Sequence, residues 1–255
     1  MSLKEKAAIT GVGETEYTRM SGKSILALQL EASLNAIADA GLSPKEIDGI
    51  IPYSNSPVVA EDFVTNFGIS DLRFSATAPL GGASCVAAIQ CALLAISGGV
   101  CSNVLIPIGR NGSSAGRIGT RVQQMPQFKV VGEHEMPVGA IAPAQLYAPM
   151  ARRHMELFGT TSSQLGEIAV STRHNAILNG HGMMTKPLTL EDHQTSRMIS
   201  DPLRLYDCSL ESDGGAAIVV SGADRANDLR KPPVYVMGSP KAIRIHRASS
   251  RNARI

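Results

Sequence analysis

The sequence predicts an α/β protein, and three observations carry that class. Strand-like and helix-like patterns alternate from Ala7 to Gly109. A glycine turn, Gly81-Gly82, leads into an almost wholly apolar helical run from Cys85 to about Ile96. After a long interruption, Asp213-Gly214-Gly215-Ala216-Ala217-Ile218-Val219-Val220 returns to a glycine turn and a buried strand. Alternation of this kind predicts a parallel-dominated sheet of five strands with helices on both faces.

Each element has a local reason. Ala7-Ala8-Ile9-Thr10-Gly11-Val12-Gly13 reads as a short buried strand ending in a glycine turn. Gly11-Val12-Gly13 lacks the third glycine of a dinucleotide fingerprint, so tight turning is the better reading. Ser24 caps a helix running to Ala40, with Leu26, Leu30, Leu34 and Ile37 as its inward stripe and Gly41 as its stop. Ser43-Pro44-Lys45-Glu46 forms a capping box with proline at the first helical position. Strands follow at Ile47–Ile51, Leu72–Pro79 and Asn103–Gly109. Between the last two lies the apolar helix, expected to be buried all round.

Residues 110–205 interrupt the alternation. Arg110 to Gly132 is rich in Gly, Ser and Arg and reads as loop. Helices are predicted over Ala144–Phe158, Ser162–Leu178 and Leu190–Ile199, the last capped by Thr189 with Asp192 three residues on. Near the end, Pro233–Gly238 opens a strand with nothing after it to pair with. From Lys241 onward the chain becomes an Arg/Ser tail.

Composition excludes several function classes. The 255 residues are 44% hydrophobic and 18% charged, an ordinary globular balance. No apolar run is long enough to span a membrane. Four cysteines without CxxC spacing and six scattered histidines argue for reduced thiols in the cytoplasm, with no metal site. Five of the 24 basic residues lie in the last fifteen; the remaining 19 are outnumbered by 22 acidic ones. Such a body, 4% aromatic and without Trp, is not built for nucleic acid.

Cys85 is the residue that carries chemistry. At the N-terminus of a helix, unpaired N–H groups and the dipole stabilise a thiolate, a strong nucleophile for acyl groups. The alternative is a small, buried, inert thiol.

Several segments taken together resemble the thiolase superfamily, especially its sterol-carrier-protein-thiolase branch. Cys85 at the helix start, Gln90 five residues on and Cys91 after it match the nucleophile motif, with Ala88 where the family usually has Gly. Tyr147–Met155 followed by Phe158-Gly159-Thr160-Thr161, Lys186–Thr189, and Ser200–Cys208 resemble the family's loop domain. Ser212-Asp213-Gly214-Gly215-Ala216-Ala217 is similar to the SDGAAA strand. Four such segments in order, over about residues 7 to 240, are more specific than any one of them.

The resemblance implies a thiolase-like βαβαβαββ domain, residues 1–109 and 206–225, with an inserted loop domain at 110–205. Residues 226–255 then hold a linker, the start of a truncated second half, and the basic tail. It implies that Cys85 accepts an acyl group from a coenzyme A thioester in an acetyl-CoA acetyltransferase-type reaction, with Ser209 near the pantetheine arm. The substrate is an acyl-CoA in lipid or sterol side-chain metabolism. The second half, which supplies a histidine, an acid/base cysteine and part of the oxyanion hole, is largely missing, and His246 has no matching context. Two alternatives stand beside this reading: an aldolase-type C–C lyase on CoA-linked side chains, and a non-catalytic CoA- or lipid-binding fragment. A homodimer is expected, pairing through the Leu72–Pro79 edge, and so is a small OB-fold acyl-CoA-binding partner. Arg110, Arg117 and Arg121 are weighed as CoA phosphate ligands but read as a solvated loop.

Overall fold

The computed structural model describes residues 3–115 and 129–238; Arg117, Arg121, His246 and the basic tail lie outside the described residues. Eight strands are described: β1 (Ala7–Glu14), β2 (Gly49–Ile50), β3 (Phe74–Ser75), β4 (Asn103–Asn111), β5 (Met198–Ser200), β6 (Leu203–Arg204), β7 (Asp213–Gly222) and β8 (Val234–Tyr235). The α-helices are α1 (Ile25–Ala40), α2 (Ala60–Phe67), α3 (Ser84–Ser97), α4 (Pro143–Phe158), α5 (Ser162–Asn179), α6 (Leu190–Thr195) and α7 (Ala223–Ala226). No helix among the described residues is long and apolar enough to cross a membrane.

The main sheet has six strands in the order β3-β2-β4-β7-β1-β8. β2 pairs parallel with β3 and β4, while β7 pairs antiparallel with β4 and β1, and β8 antiparallel with β1. The expected five-stranded, parallel-dominated sheet is therefore corrected. β1 to β4 run the same way, as helical crossovers require. β7 follows the long insertion instead of a crossover helix and enters from the opposite end. Its two long ladders make the hydrogen bonding mostly antiparallel. Pro233–Gly238 does find a partner: β8 closes on β1, the first strand of the chain.

Helix α1 shows why β1 carries two glycines. Gly11 and Gly13 do not turn the chain; both lie inside β1. A Cβ at Gly13 would meet Ala36 N at 2.2 Å and Ala32 O at 2.4 Å, and one at Gly11 would meet Ala36 O at 2.2 Å. The helix backbone thus rests directly on the strand. Close approach selects small residues on the helix, so the buried face is Leu28, Gln29, Ala32, Ser33, Ala36, Ile37 and Ala40. The expected stripe is rotated, and Leu34 is exposed. The termini are as predicted: Ser24 accepts from Ala27 N–H, and Gly41 ends the helix in the left-handed region.

Helix α3 is covered on one face only. Ser84, Ala88, Ala92, Leu93 and Ala95 pack inward. Val86 is 72% and Leu94 50% exposed, which corrects the expectation of burial all round. The outer face borders a groove of about 430 Å³ lined by Leu80, Val86, Ile89, Gln90, Val234 and Tyr235, among others.

The segment between β4 and β7 carries α4 to α6 and the β5–β6 ribbon. Thr161 and Thr189 cap α5 and α6 through reciprocal bonds with Gln164 and Asp192. α6 stops at Thr195 instead of Ile199, because residues 198–200 pair as β5. His193 is buried. Its Nε2 lies 2.8 Å from Asp207 Oδ1, and its Nδ1 lies 3.0 Å from the Gln194 amide nitrogen. That pairing joins α6 to the Leu205–Asp207 turn.

Candidate active site

Three side chains gather at the carboxyl ends of the parallel strands, the end at which open α/β sheets carry their sites. Tyr53 follows β2, Cys85 follows β3, and Arg110 lies at the end of β4.

Cys85 is the second residue of α3, after a 3-10 turn at Gly81–Ala83 in which Gly81 has φ +60°. The neighbouring Ser84 fixes the helix start: its hydroxyl accepts from Leu80 N–H at 3.0 Å and lies 3.3 Å from the Ser54 hydroxyl. Cys85 lines a narrow apolar crevice with Ile51, Pro52, Tyr53, Ala78, Ala88, Ile106 and Pro107. Burial pushes the Cys85 thiol above its usual value. No basic side chain lines the crevice. The helix end expected to favour a thiolate is thus opposed by the apolar walls.

Tyr53 connects this crevice to a second space. Its ring lines the crevice, and its hydroxyl accepts from Arg110 Nη2 at 3.2 Å and from Asn55 Nδ2 at 3.4 Å. The Arg110 guanidinium carbon stands 5.4 Å from the Tyr53 ring centroid. Arg110 also lines a cavity of about 380 Å³ with Tyr17, Gly109, Leu210, Glu211, Ser212 and Gly214. Crevice and cavity therefore follow one another along β4, from Ile106–Pro107 to Ile108–Arg110.

Asp213 lies behind that cavity, between Ser212 and Gly214, which line it. It is fully buried at the start of β7. Its Oδ1 accepts from Ser113 N–H and hydroxyl, both at 2.8 Å, and from Ser114 N–H at 3.1 Å. Its Oδ2 accepts from Ser21 N–H at 2.9 Å, the Ser21 hydroxyl at 2.7 Å, and the Ser114 hydroxyl. Burial alone would raise this carboxyl. The bonds from Ser114, Ser21 and Ser113 outweigh it and hold the group well below the usual carboxylate range. One carboxylate thus ties the segment after β1 to the segment leaving β4.

Ser209 stands elsewhere. It is exposed, bonds Leu210 O at 3.4 Å, and lines a cleft of about 630 Å³ with Tyr147, Ile199, Leu203, Cys208 and Leu210. Cys85 and Ser209 share no cavity among the described residues. Sequence reasoning missed Tyr53 and the role of Asp213. Tyr53 carries no motif; its only signal is its place just beyond a predicted parallel strand. Among the described residues no group of three His, Cys, Asp or Glu side chains is arranged to hold a metal ion.

Comparison with known proteins gives two kinds of relative. The chain is 39% identical over 238 residues to the steroid side-chain-cleaving aldolase of Thermomonospora curvata, covering 91% of this chain and 61% of that protein. It is 38% identical over 239 residues to the 17-hydroxy-3-oxo-4-pregnene-20-carboxyl-CoA lyase of Mycobacterium tuberculosis, covering 92% and 62%. Identity to the acetyl-CoA acetyltransferase of Methanothermobacter thermautotrophicus is 31% over 247 residues, covering 92% and 62%. Among solved structures, the Ltp2-ChsH2(DUF35) aldolase superposes with a TM-score of 0.85 at 38% identity, covering 93% of this chain and 61% of that one. The acetyl-CoA acetyltransferase of Syntrophomonas wolfei, at 16% identity and a TM-score of 0.64, covers 89% and 68% and shows the shared fold. No family model matches the chain. The chain spans about three fifths of the length of these curated relatives.

Proposed function

Because the chain is a homologue of the thiolase superfamily over that three-fifths span, we propose that it forms part of an aldolase-type carbon–carbon lyase acting on a side chain carried as a coenzyme A thioester. This places the aldolase alternative ahead of acyl transfer through Cys85. The observation that carries it is the 39% and 38% identity to an aldolase and a CoA lyase, against 31% to an acetyltransferase. The TM-scores, 0.85 against 0.64, run the same way.

The chemistry is compatible with the site. In retro-aldol cleavage the β-hydroxyl gives up its proton and its C–O bond becomes a carbonyl. The Cα–Cβ bond breaks, and its electron pair passes to the thioester as an enolate, which is then protonated at Cα. Such a step needs a base, an acid and a stabiliser of the enolate oxygen, but no acyl-enzyme. A Cys85 thiol raised by apolar walls suits a residue that shapes the site instead of attacking. The sheet-bearing residues 1–109 and 206–225, with Arg110 at the end of β4, hold this site in our reading, and the rest of the inserted residues 110–205, with Ser209, face the CoA arm. Proton-transfer groups beyond those described here come from the part of the relatives' length that this chain does not span. A small acyl-CoA-binding partner of OB-fold type and a homodimer complete the proposal; the name of the Ltp2-ChsH2(DUF35) aldolase, which joins two components, supports the first.

Acyl transfer remains the second reading, favoured by the position of Cys85 at a helix start after a glycine turn. One experiment separates them. The completed enzyme is given a β-hydroxyacyl-CoA, and Cys85→Ala is compared with wild type. A lyase releases a ketone and a shortened acyl-CoA without consuming free CoA, and the variant stays within about tenfold, a change of about 1.4 kcal/mol in the barrier. Acyl transfer predicts an acyl adduct on Cys85 by intact mass and a loss of all turnover in the variant.

A further inference from the structure

The Arg110 guanidinium is half-buried, and among the described residues no carboxylate forms an ion pair with it. Its hydrogen bond is the one to the Tyr53 hydroxyl. A guanidinium has five N–H donors in a planar fork, so most of its donor capacity is unused. The Tyr53 ring and hydroxyl seat it in one orientation. The cavity it lines is shared with Tyr17, Leu210, Glu211 and Ser212, while the space beside Gly109 and Gly214 is taken by Gln29 and Tyr17. Charges withdrawn from water are ordinarily paired. A seated arginine that no described carboxylate pairs with, facing a cavity of about 380 Å³, keeps donors available for an anionic oxygen.

We infer that Arg110 binds an anionic oxygen of the CoA thioester, held in place by Tyr53 as a positioning residue. This deepens the lyase reading and rests on it for the identity of the ligand. Two oxygens share the required chemistry: a phosphate of coenzyme A, and the thioester oxygen as it takes up enolate charge. Arginine suits either, since its fork matches phosphate and can stabilise a developing oxyanion. The position of Arg110 at the carboxyl end of β4, joined through Tyr53 to the Cys85 crevice, places this charge beside the candidate reaction centre.

The test is binding to the 255-residue chain, which does not depend on which reaction the completed enzyme performs. Two probes are titrated by calorimetry: inorganic pyrophosphate, and acetoacetyl-pantetheine, an enolisable thioester without phosphate. Arg110→Gln is expected to weaken one probe by at least about tenfold. Arg110→Lys, which keeps the charge but not the fork, is expected to lose less. Tyr53→Phe, which keeps the ring but not the hydroxyl, is expected to fall between. A loss confined to pyrophosphate assigns the phosphate, and a loss confined to the pantetheine ester assigns the thioester oxygen. Thermal unfolding of each variant checks the fold, and Arg110→Lys serves if Arg110→Gln unfolds. Equal affinities in wild type and Arg110→Gln overturn the inference, as does a wild type that binds neither probe at millimolar concentration. The lyase reading fails separately, on product analysis.

Discussion

Replacing Asp213 by asparagine separates charge from shape at the most heavily bonded side chain of the site. Each carboxylate oxygen accepts three bonds from Ser21, Ser113 and Ser114. An amide must present N–H in place of one oxygen. At the Oδ1 position the new N–H groups would face two backbone N–H donors, of Ser113 and Ser114; at Oδ2 they would face one, of Ser21. The side chain will take the second orientation. Serine hydroxyls can rotate to accept, but the Ser21 N–H cannot. Losing one bond to a charged acceptor and leaving that donor opposed by another costs about 3 kcal/mol in all. The pH dependence follows from the direction of the shift. The folded carboxyl lies below its unfolded value of 3.8, so its stabilisation is full above about pH 5 and is lost as pH falls through the folded value. The gap between wild type and Asp213→Asn should therefore be widest at pH 7. Below the unfolded value it should narrow by up to about 1.4 kcal/mol per pH unit. Urea unfolding followed by circular dichroism at pH 7 and pH 3 measures both quantities. A gap under about 0.5 kcal/mol at pH 7, the scatter of ordinary surface changes, would refute the reasoning. So would a gap unchanged at pH 3.

Three further outcomes are expected. Gly13→Ala drives a methyl into the backbone of α1 and should cost about 3 kcal/mol, whereas Gly22→Ala, with open space but φ +69°, should cost about 1 kcal/mol; thermal unfolding ranks them, and a reversed order contradicts the close packing of α1. Cys101, buried and pushed up to about 11 by burial and Asp48, should resist iodoacetamide at pH 7.5 in peptide mapping and react only as pH approaches 11; rapid native labelling there contradicts it. His193→Ala leaves Asp207 without its buried partner and should destabilise by about 3 kcal/mol in chemical denaturation; a neutral effect would show the pairing to be incidental.

Much of the architecture was legible because it is local. Caps at Ser24 and Thr189, the stop at Gly41, and the strands around Ile50 and Ile106 all declare themselves within a few residues. What escaped depends on partners distant in the chain. Whether Gly13 turns or makes room is decided by Ala32 and Ala36, and whether Val234 pairs is decided by Ile9. The rotated face of α1 follows from the same glycines. At the site, Cys85 was visible through its glycine turn. Tyr53 and Arg110, 57 positions apart, have no shared motif, and only the fold makes them neighbours. The apolar walls that oppose a Cys85 thiolate come from the segment after β2 and from β4, which no inspection of α3 alone reveals.

The placement of β7 has a consequence for how the molecule assembles. Its ladder with β1 joins residues about two hundred positions apart, as in Ala7 with Gly222 and Ile9 with Val220. Until those residues exist, β1 and β4 have no bridge between them, since β7 occupies the place where each would otherwise meet a neighbour. On the ribosome, the first strand must wait, with its apolar face open, through the synthesis of the whole inserted segment. Closing so large a loop late makes folding slow and leaves the early intermediates adhesive. Nascent chains stalled before residue 213 should therefore be the ones that chaperones hold longest.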